Sequence, residues 1–513
     1  MLAQMAGTAF PIIRAKQSGE IDFMPLFYNF SPSNASRTTR RNKADNLSPP
    51  APGRNRHFFT GGGWVLAKRA CFLDAFCRSI PHMNIVRFTD PDYDQLSSRL
   101  TAASSLFDRD IEQRVRQIIE MVREKGDDAL LELTRRFDGA ELSAGQLPVS
   151  HAELMTASLK ADESLRAAVA AADKNVANFA KKSLRKSWTI RNAQGGTVGE
   201  KFDPFNRVGI YIPGGKAPLV STALMTVTLA RVAGCREIVV CTPCGRDGQI
   251  NPALLFAARF AGATEIYRVG GAQAIAAMAL GTPTIRRVQK IFGPGNAYVV
   301  AAKRLLFGFV AVDLLPGPSE LLVIADDTAN PRYVAADLLA QAEHGSGHER
   351  VWLVTPSARL LKSVEKEITR QLKTSARKEM IEKVLESNAW LIQASSIDEC
   401  VDLANRLAPE HCEVMARQAK KLAEKLTTAG AIFLGNNTPT VLGDYVAGPS
   451  HTLPTGGAGA AFAGLSADQF QRRTSFVEYD RAALRRSLPL VQKFADMEGL
   501  QAHGRSAQIR FNR

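Results

Sequence analysis

The patterning of this chain predicts an α/β protein with two Rossmann-like, doubly wound parallel-sheet domains and a small, mainly helical C-terminal region. Three observations carry that expectation. Short apolar runs alternate with helix-length amphipathic stretches over 207–307 and again over 320–434, as consecutive βα units do. Glycine-rich turns, GIYIPGG at 209–215 and FGPGN at 292–296, follow a strand and precede a helix. The 513 residues are 45% hydrophobic and only 7% aromatic, an ordinary globular composition with chain enough for two or more domains.

Residues 1–82 stand apart from that pattern. They hold 11 Lys and Arg against 4 Asp and Glu, and so carry +7 of the formal +15. Positions 31–56 are rich in Ser, Asn, Pro and Arg with little periodic hydrophobicity, which predicts disorder. The stretch reads as an extension. It is either upstream translated sequence ahead of a working start at Met83, the favoured reading, or an Arg- and Ser-rich organellar targeting segment. The corresponding expectation is a cytoplasmic protein.

Residues 83–205 read as mostly helical. Ile111, Val115, Ile118, Ile119 and Val122 recur at helical spacing within 108–125, and 152–182 continues in that style. The first βα series has strands at 208–212, 237–241, 265–269 and 290–292, with helices at 221–234, 251–262, 272–280 and 296–307. The second has strands at 320–325, 350–355, 389–392 and 431–434, with helices at 330–344, 358–372 and 397–407. The expected domains are 83–210 together with 319–437, then 211–318, and a loop and helical region at 438–513.

Charge and cysteine usage narrow the function class. Beyond residue 82 the basic excess is thinly spread, with no basic run interleaved with aromatics, so no nucleic-acid partner is expected. No apolar run reaches the roughly 18 residues of a membrane span, so no membrane partner is expected either. The seven cysteines, at 71, 77, 235, 241, 244, 400 and 412, lack a framework spacing and argue against a disulfide scaffold. Cys241 and Cys244 form a lone CxxC. Without a second pair, a structural role outweighs a zinc or redox one.

The chemistry-bearing residues concentrate in the second half. Asn330 is an N-cap and Pro331 sits at the first helical position. Val334, Leu338 and Gln341 share one helix face, so the buried side ends in an amide, with His344 its neighbour three residues on. The two groups find partners either in solvent at the helix end or in a metal completed from elsewhere. His411, His451 and His503 are the other histidines of this half with polar or acidic company. Asp444 lies in an LGDY turn, where its carboxylate points inward or makes an Asx-turn. His503 closes a helical run from Leu490, with Gly504 as a C-cap, and either ligates or complements the helix dipole.

The PEH of 409–411 follows the helix 397–407 and is expected in a loop at an element's end. Its Glu410 and His411 differ in pKa, which suits proton transfer. The loops GIYIPGG, VGGAQ (269–273) and FGPGN offer backbone N–H groups and helix N-termini to a pyrophosphate. None is GxGxxG, and tight turns of a doubly wound fold are the alternative.

Together these stretches resemble one family. VGIYIPGGKAPLVSTALM (208–225), VGGAQAIAA (269–277), IFGPGNAYV (291–299), LPGPSELLVIAD (315–326), DLLAQAEH (337–344), PEH, GDYVAGPSHTLPT (443–455) and EGLQAH (498–503) occur in the order found in histidinol dehydrogenases. Residues 1–82 have no counterpart there. The resemblance implies a zinc- and NAD-dependent oxidation of L-histidinol to L-histidine through L-histidinaldehyde, closing histidine biosynthesis. It implies one Zn2+ per subunit on Gln341, His344, Asp444 and His503, the last supplied across a homodimer. It makes Glu410 and His411 the catalytic pair. Substrate contacts fall on Ser319, Gln341, His344, His411, Asp444, His451, Glu498 and His503, and NAD contacts on Tyr211, Gln273 and Asn296. Glu343, between the two ligands, is left a structural role. Three readings compete. One is a zinc hydrolase in which Glu410 activates water. Another is a thiol aldehyde dehydrogenase with Cys412 as nucleophile. The third is a basic binding protein acting through residues 1–82.

Overall fold

The computed structural model describes residues 83–100, 108–214 and 218–511. The expectations for residues 1–82 lie outside the described residues. In chain order the strands are β1 (Asn84–Arg87), β2 (Trp188–Arg191), β3 (Thr197–Pro204), β4 (Arg207–Tyr211), β5 (Glu237–Thr242), β6 (Glu265–Arg268), β7 (Lys290–Phe292), β8 (Ala311–Val312), β9 (Glu320–Ala325), β10 (Arg350–Thr355), β11 (Ala389–Gln393), β12 (His411–Met415), β13 (Ala431–Leu434) and β14 (Gln471–Glu478). The helices are α1 (Tyr93–Leu100), α2 (Arg109–Lys125), α3 (Asp127–Phe137), α4 (His151–Lys160), α5 (Glu163–Ser183), α6 (Val220–Ala233), α7 (Pro252–Ala261), α8 (Gly271–Leu280), α9 (Ala297–Leu306), α10 (Pro331–Ala342), α11 (Ala358–Leu372), α12 (Lys378–Asn388), α13 (Ile397–Leu407), α14 (Ala419–Ala423), α15 (Val441–Tyr445), α16 (Arg481–Met497) and α17 (Gln501–Gln508).

Two wholly parallel sheets form, as the alternating pattern predicts. The first has six strands in the order β1-β11-β10-β9-β12-β13. The second has five, β6-β5-β4-β7-β8. Its chain steps outward from β4 to β6 and then returns to the other side for β7, the doubly wound order. Each sheet is covered on both faces, so its central strands are largely apolar: β9 is buried along its whole length and is apolar after Glu320. Local signals set the helix ends. The Asp108 side chain accepts from the amides of Asp110 and Ile111, and Val115, Ile118, Ile119 and Val122 form the buried stripe of α2.

The N-terminal part departs from expectation. β1 is a strand, and its four residues join the edge of the six-stranded sheet beside β11, roughly three hundred residues away in sequence. Helices α2 to α5 do not pack on that sheet. α2 and α3 lie against α8 and α9, and α4 and α5 against α6 and α7, so this segment belongs with the five-stranded sheet. The expected grouping of 83–210 with 319–437 therefore describes only β1 and α1.

Three further strands escape a pattern-based reading. β2, β3 and β14 make an antiparallel sheet in the order β14-β3-β2. They are mostly solvent-facing and polar, so no apolar run marks them. The C-terminal helix is also split. Gly499, at φ 68°, separates α16 from α17, so His503 lies within α17 rather than at a helix end. Gly504 is not a C-cap: a Cβ there would stand 2.7 Å from the Gln492 side chain of α16, so it permits close helix packing.

Candidate active site

The site begins with β12, which was expected to be loop. It runs parallel to β9, with His411 in register with Leu321. Glu320, Glu410 and His411 therefore gather at the amino edge of the six-stranded sheet. Open α/β sheets ordinarily bind ligands at the carboxyl edge. Helix α10 leaves the far end of β9 and runs back along it, so its C-terminal residues arrive at this same amino edge. Asn330 caps its start, accepting from the Arg332 amide at 3.0 Å.

Glu410 and His411 are 5% and 4% exposed. The Glu320 N–H donates to Glu410 Oε2 at 2.8 Å, and the Ser319 hydroxyl also bonds this carboxyl. Burial, with the nearby charges of Glu320 and Asp444, nevertheless holds the Glu410 carboxyl well above the usual carboxylate range. His411 Nδ1 donates to the Glu320 carbonyl at 2.9 Å, which leaves Nε2 unprotonated. Burial lowers this imidazole to about 4, so it is neutral at physiological pH. Glu320 is itself raised by burial. It pairs with Arg350 and accepts from the Gly456 N–H at 3.1 Å.

Gln341 is 3% exposed, and its amide Nε2 is buried without a hydrogen-bond partner. His344 is exposed, and its Nδ1 donates to the Gln341 carbonyl at 3.1 Å, freeing Nε2 as a ligand atom. Asp444 sits on the short helix α15, not in an Asx-turn. Its charge acts on Glu410, His411 and His451. His451 Nδ1 donates to the Asp444 carbonyl at 3.0 Å, and its Nε2 accepts from the Thr222 hydroxyl at 3.2 Å. Thr222 lies in the first turn of α6, just past the carboxyl end of β4. The amino edge of one sheet thus meets the carboxyl edge of the other.

One chain therefore brings together Ser319, Gln341, His344, Glu410, His411, Asp444 and His451. Glu498 and His503 are exposed on the C-terminal helical segment, and their side chains make no hydrogen bond or ion pair among the described residues. Among the described residues no three His, Cys, Asp or Glu side chains form a ready metal cluster. The local donors are one imidazole, one carboxylate and one amide. That set, with an orphaned buried amide, fits a zinc ion that takes its fourth ligand from elsewhere.

The residues expected to meet NAD lie along the carboxyl edge of the five-stranded sheet. Tyr211 ends β4, and its hydroxyl accepts from the Gly271 N–H at 3.1 Å. Gln273 is buried in the first turn of α8. Asn296 caps α9, accepting from the amides of Tyr298 and Val299. Gly293, at φ 109°, brings its turn against β4; a Cβ there would stand 2.1 Å from the Tyr211 carbonyl oxygen.

Three acids went unread in the sequence: Glu320, Asp337 and Glu413. Glu320 opens β9 and Glu413 sits in the middle of β12, each an acid inside a buried strand, which is the signal that could have found them. Cys412 is fully buried and burial pushes its thiol up, which opposes a thiolate nucleophile.

The comparisons agree on one family. A histidinol dehydrogenase family model matches residues 102–511. The chain is 45% identical over 409 residues to the histidinol dehydrogenase of Heliobacterium mobile, spanning 80% of this chain and 96% of that protein. It is 46% identical over 399 residues to that of a Synechococcus species, spanning 78% and 92%. A crystal structure of histidinol dehydrogenase from Elizabethkingia anophelis is similar with a TM-score of 0.79 at 37% identity, over 84% of this chain and 98% of that one. The chain belongs to the histidinol dehydrogenase family.

Proposed function

We propose that this chain oxidises L-histidinol to L-histidine through L-histidinaldehyde, the last steps of histidine biosynthesis, with NAD as acceptor and one zinc ion per subunit. The observation that carries the reading is a neutral, buried His411 beside a buried Glu410 carboxyl that burial makes more basic than an ordinary carboxylate, both within electrostatic reach of Asp444. Gln341, His344 and Asp444 would hold the zinc, with His503 of the partner subunit completing the set in a homodimer. Zinc has no redox chemistry of its own, so it would supply a fixed anchor for the substrate's nitrogen donors.

His411 Nε2 would take the alcohol proton as the hydride leaves for a bound NAD. Its Nδ1–H bond to the Glu320 carbonyl holds the ring in the tautomer this needs. Glu410, as carboxylate, would then take a proton from the water that attacks the aldehyde, while His411 returns its proton to the aldehyde oxygen. Burial raises the Glu410 pKa and so makes it the stronger base. His411, neutral again, would accept the hydrate's proton as the second hydride leaves, and both groups would release their protons to solvent with the product. Ser319, His451 and Glu498 of the partner subunit would orient the substrate. Tyr211, Gln273 and Asn296 would seat NAD on the facing sheet edge, where a spent cofactor can exchange while the substrate stays fixed.

The test is stoichiometric. Purified protein should form two NADH per histidine from L-histidinol, stop on chelation and resume with added zinc. Absence of NADH formation with L-histidinol and zinc present would overturn the reading.

A further inference from the structure

We propose that Asp337, Glu413 and Thr440 form a polar tie that positions the site residues of three separate elements at once, the zinc-ligand residues of two and the catalytic histidine of the third. The proposal rests on the zinc reading of Gln341, His344 and Asp444, and it concerns residues outside that set.

Each member sits on an element that carries a site residue. Asp337 lies on α10 one turn before Gln341, on the same helix face, and His344 follows two residues past the end of that helix. Glu413 follows His411 by two residues on β12, so both point to the same side of the sheet. Thr440 stands at the N-cap of α15, which carries Asp444. Glu413 is 1% exposed, and its Oε1 accepts from the Thr440 N–H at 2.7 Å and from the Thr440 hydroxyl. The Asp444 N–H in turn donates to the Thr440 carbonyl at 3.3 Å. The Asp337 carboxyl lies within hydrogen-bond reach of Glu413.

Two features say that this is more than packing. The first is the diverted cap. The Thr440 hydroxyl makes no capping bond to α15 but spends its donor on Glu413. A five-residue helix has little stability of its own, so this bond fixes where Asp444 sits. The second is the acid pair. Neither carboxyl is paired with Lys or Arg among the described residues, and Glu413 Oε2 is buried without an ordinary donor. The buried Glu413 and the half-buried Asp337 are in contact, which favours a proton shared between them: burial and then the Asp337 charge push Glu413 up, and burial pushes Asp337 up although its bond to Glu413 pulls it down. Replacing such a group with an apolar one of similar size is commonly neutral or stabilising for the fold. An arrangement this costly, joining the ligand helix to the Asp444 helix through the catalytic strand, is explained by what it orients. The Gln341 amide has an orphaned nitrogen, so its aim depends on where α10 is held.

The experiment measures zinc affinity by competition with a chelator, alongside the thermal midpoint of the zinc-free protein and the KM values for L-histidinol and NAD. Glu413→Leu should weaken zinc about 10- to 100-fold and raise the histidinol KM, with the NAD KM little changed. Its zinc-free midpoint should fall, because the buried Thr440 N–H and hydroxyl lose their acceptor, so the test is read on protein that is still folded. Glu413→Gln, which keeps an acceptor for Thr440 and offers a donor to Asp337, should restore most of that affinity. If Glu413→Leu does not fold, Thr440→Val carries the test, since it removes only the hydroxyl; a weakening of about threefold or more is expected. Wild-type zinc affinity in a folded Glu413→Leu, or in Thr440→Val where that variant stands in, overturns the tie alone. Wild-type protein that takes up no zinc overturns the metal reading, and the tie with it.

Discussion

The two parallel sheets treat buried charge in opposite ways. In the five-stranded sheet, the most deeply buried charges come as cation–anion pairs; the half-buried Asp138 and Lys290, each pushed toward its neutral form by burial, are the exceptions. Lys303 and Asp313 pair with both side chains fully buried. Arg207 bonds Glu237 at 2.6 Å and also Glu265, and Arg268 pairs with Glu153. The Arg207 bonds hold Glu265 down at about 2. At the amino edge of the six-stranded sheet, Glu410, His411 and Glu413 are buried with no Lys or Arg paired to them among the described residues, and burial pushes each away from its charged form. Among those residues Glu320 alone at this edge pairs with a cation, Arg350. Paired charges in the five-stranded sheet are spent on structure, and those at the amino edge of the six-stranded sheet are pushed toward their neutral forms where proton transfer is proposed.

That contrast breaks most sharply at His411. His411→Asn should lower kcat by about 1,000-fold or more while bound zinc and the unfolding midpoint stay near wild type. A variant with normal kcat would remove the proposed base. The paired sheet should respond the other way. Lys303 also donates to the Gly293 carbonyl at 3.0 Å, and the Gly293 N–H donates to Asp313 at 2.8 Å, so the pair clamps the turn leading to Asn296. Lys303→Met leaves a buried carboxylate alone and should cost about 3–5 kcal/mol in denaturant unfolding. A loss under about 1 kcal/mol would show that the pair is not structural. Glu410→Gln belongs between these. It should slow the aldehyde-to-acid step about 100-fold while sparing the alcohol-to-aldehyde step, read by starting the reaction from each substrate in turn. Equal losses in both steps would take the water-activating role from Glu410.

The same contrast explains what could be read before the fold was known. Strands with paired or no charge, such as β5 and β9 beyond Glu320, are nearly continuous apolar runs and stand out in the sequence. β12 does not, because HCEVM carries a buried imidazole and a buried acid where a strand should show valines. The functional residues thus hid the strand that holds them. Gln341 and His344 were legible because their helix has a clear cap and apolar stripe. The placement of α2 to α5 was not, since an amphipathic stripe shows which face is buried but not which sheet it covers. In the solvent-facing sheet, β2 and β3 form a hairpin through a turn at Asn192–Gly196 but alternate no clear apolar face, and β14 joins β3 from far along the chain with no local turn to announce it.

The smallest expected effect concerns pH, and it separates the two sheets by sign. Glu413 is pushed up to about 8 by burial, above the ordinary glutamate value of 4.5. A raised folded pKa means that the native state binds the extra proton, so this contribution to stability is complete below about 4.5 and is lost as pH rises through about 8. Glu265 is held at about 2, chiefly by its bonds to Arg207. Its contribution is complete above about 4.5 and is lost as pH falls through about 2, discounted because the group is partly solvated. The thermal midpoint should therefore fall on the alkaline side through the acid pair and on the acid side through the ion pair. Glu413→Gln should flatten the alkaline limb alone, and Glu265→Gln the acid limb alone, in midpoints measured from pH 3 to 9. If Glu413→Gln instead flattened the acid limb, its carboxyl would be ionised in the folded protein. The unpaired acids of the six-stranded sheet would then have a hidden counter-charge, and the distinction between the two sheets would collapse.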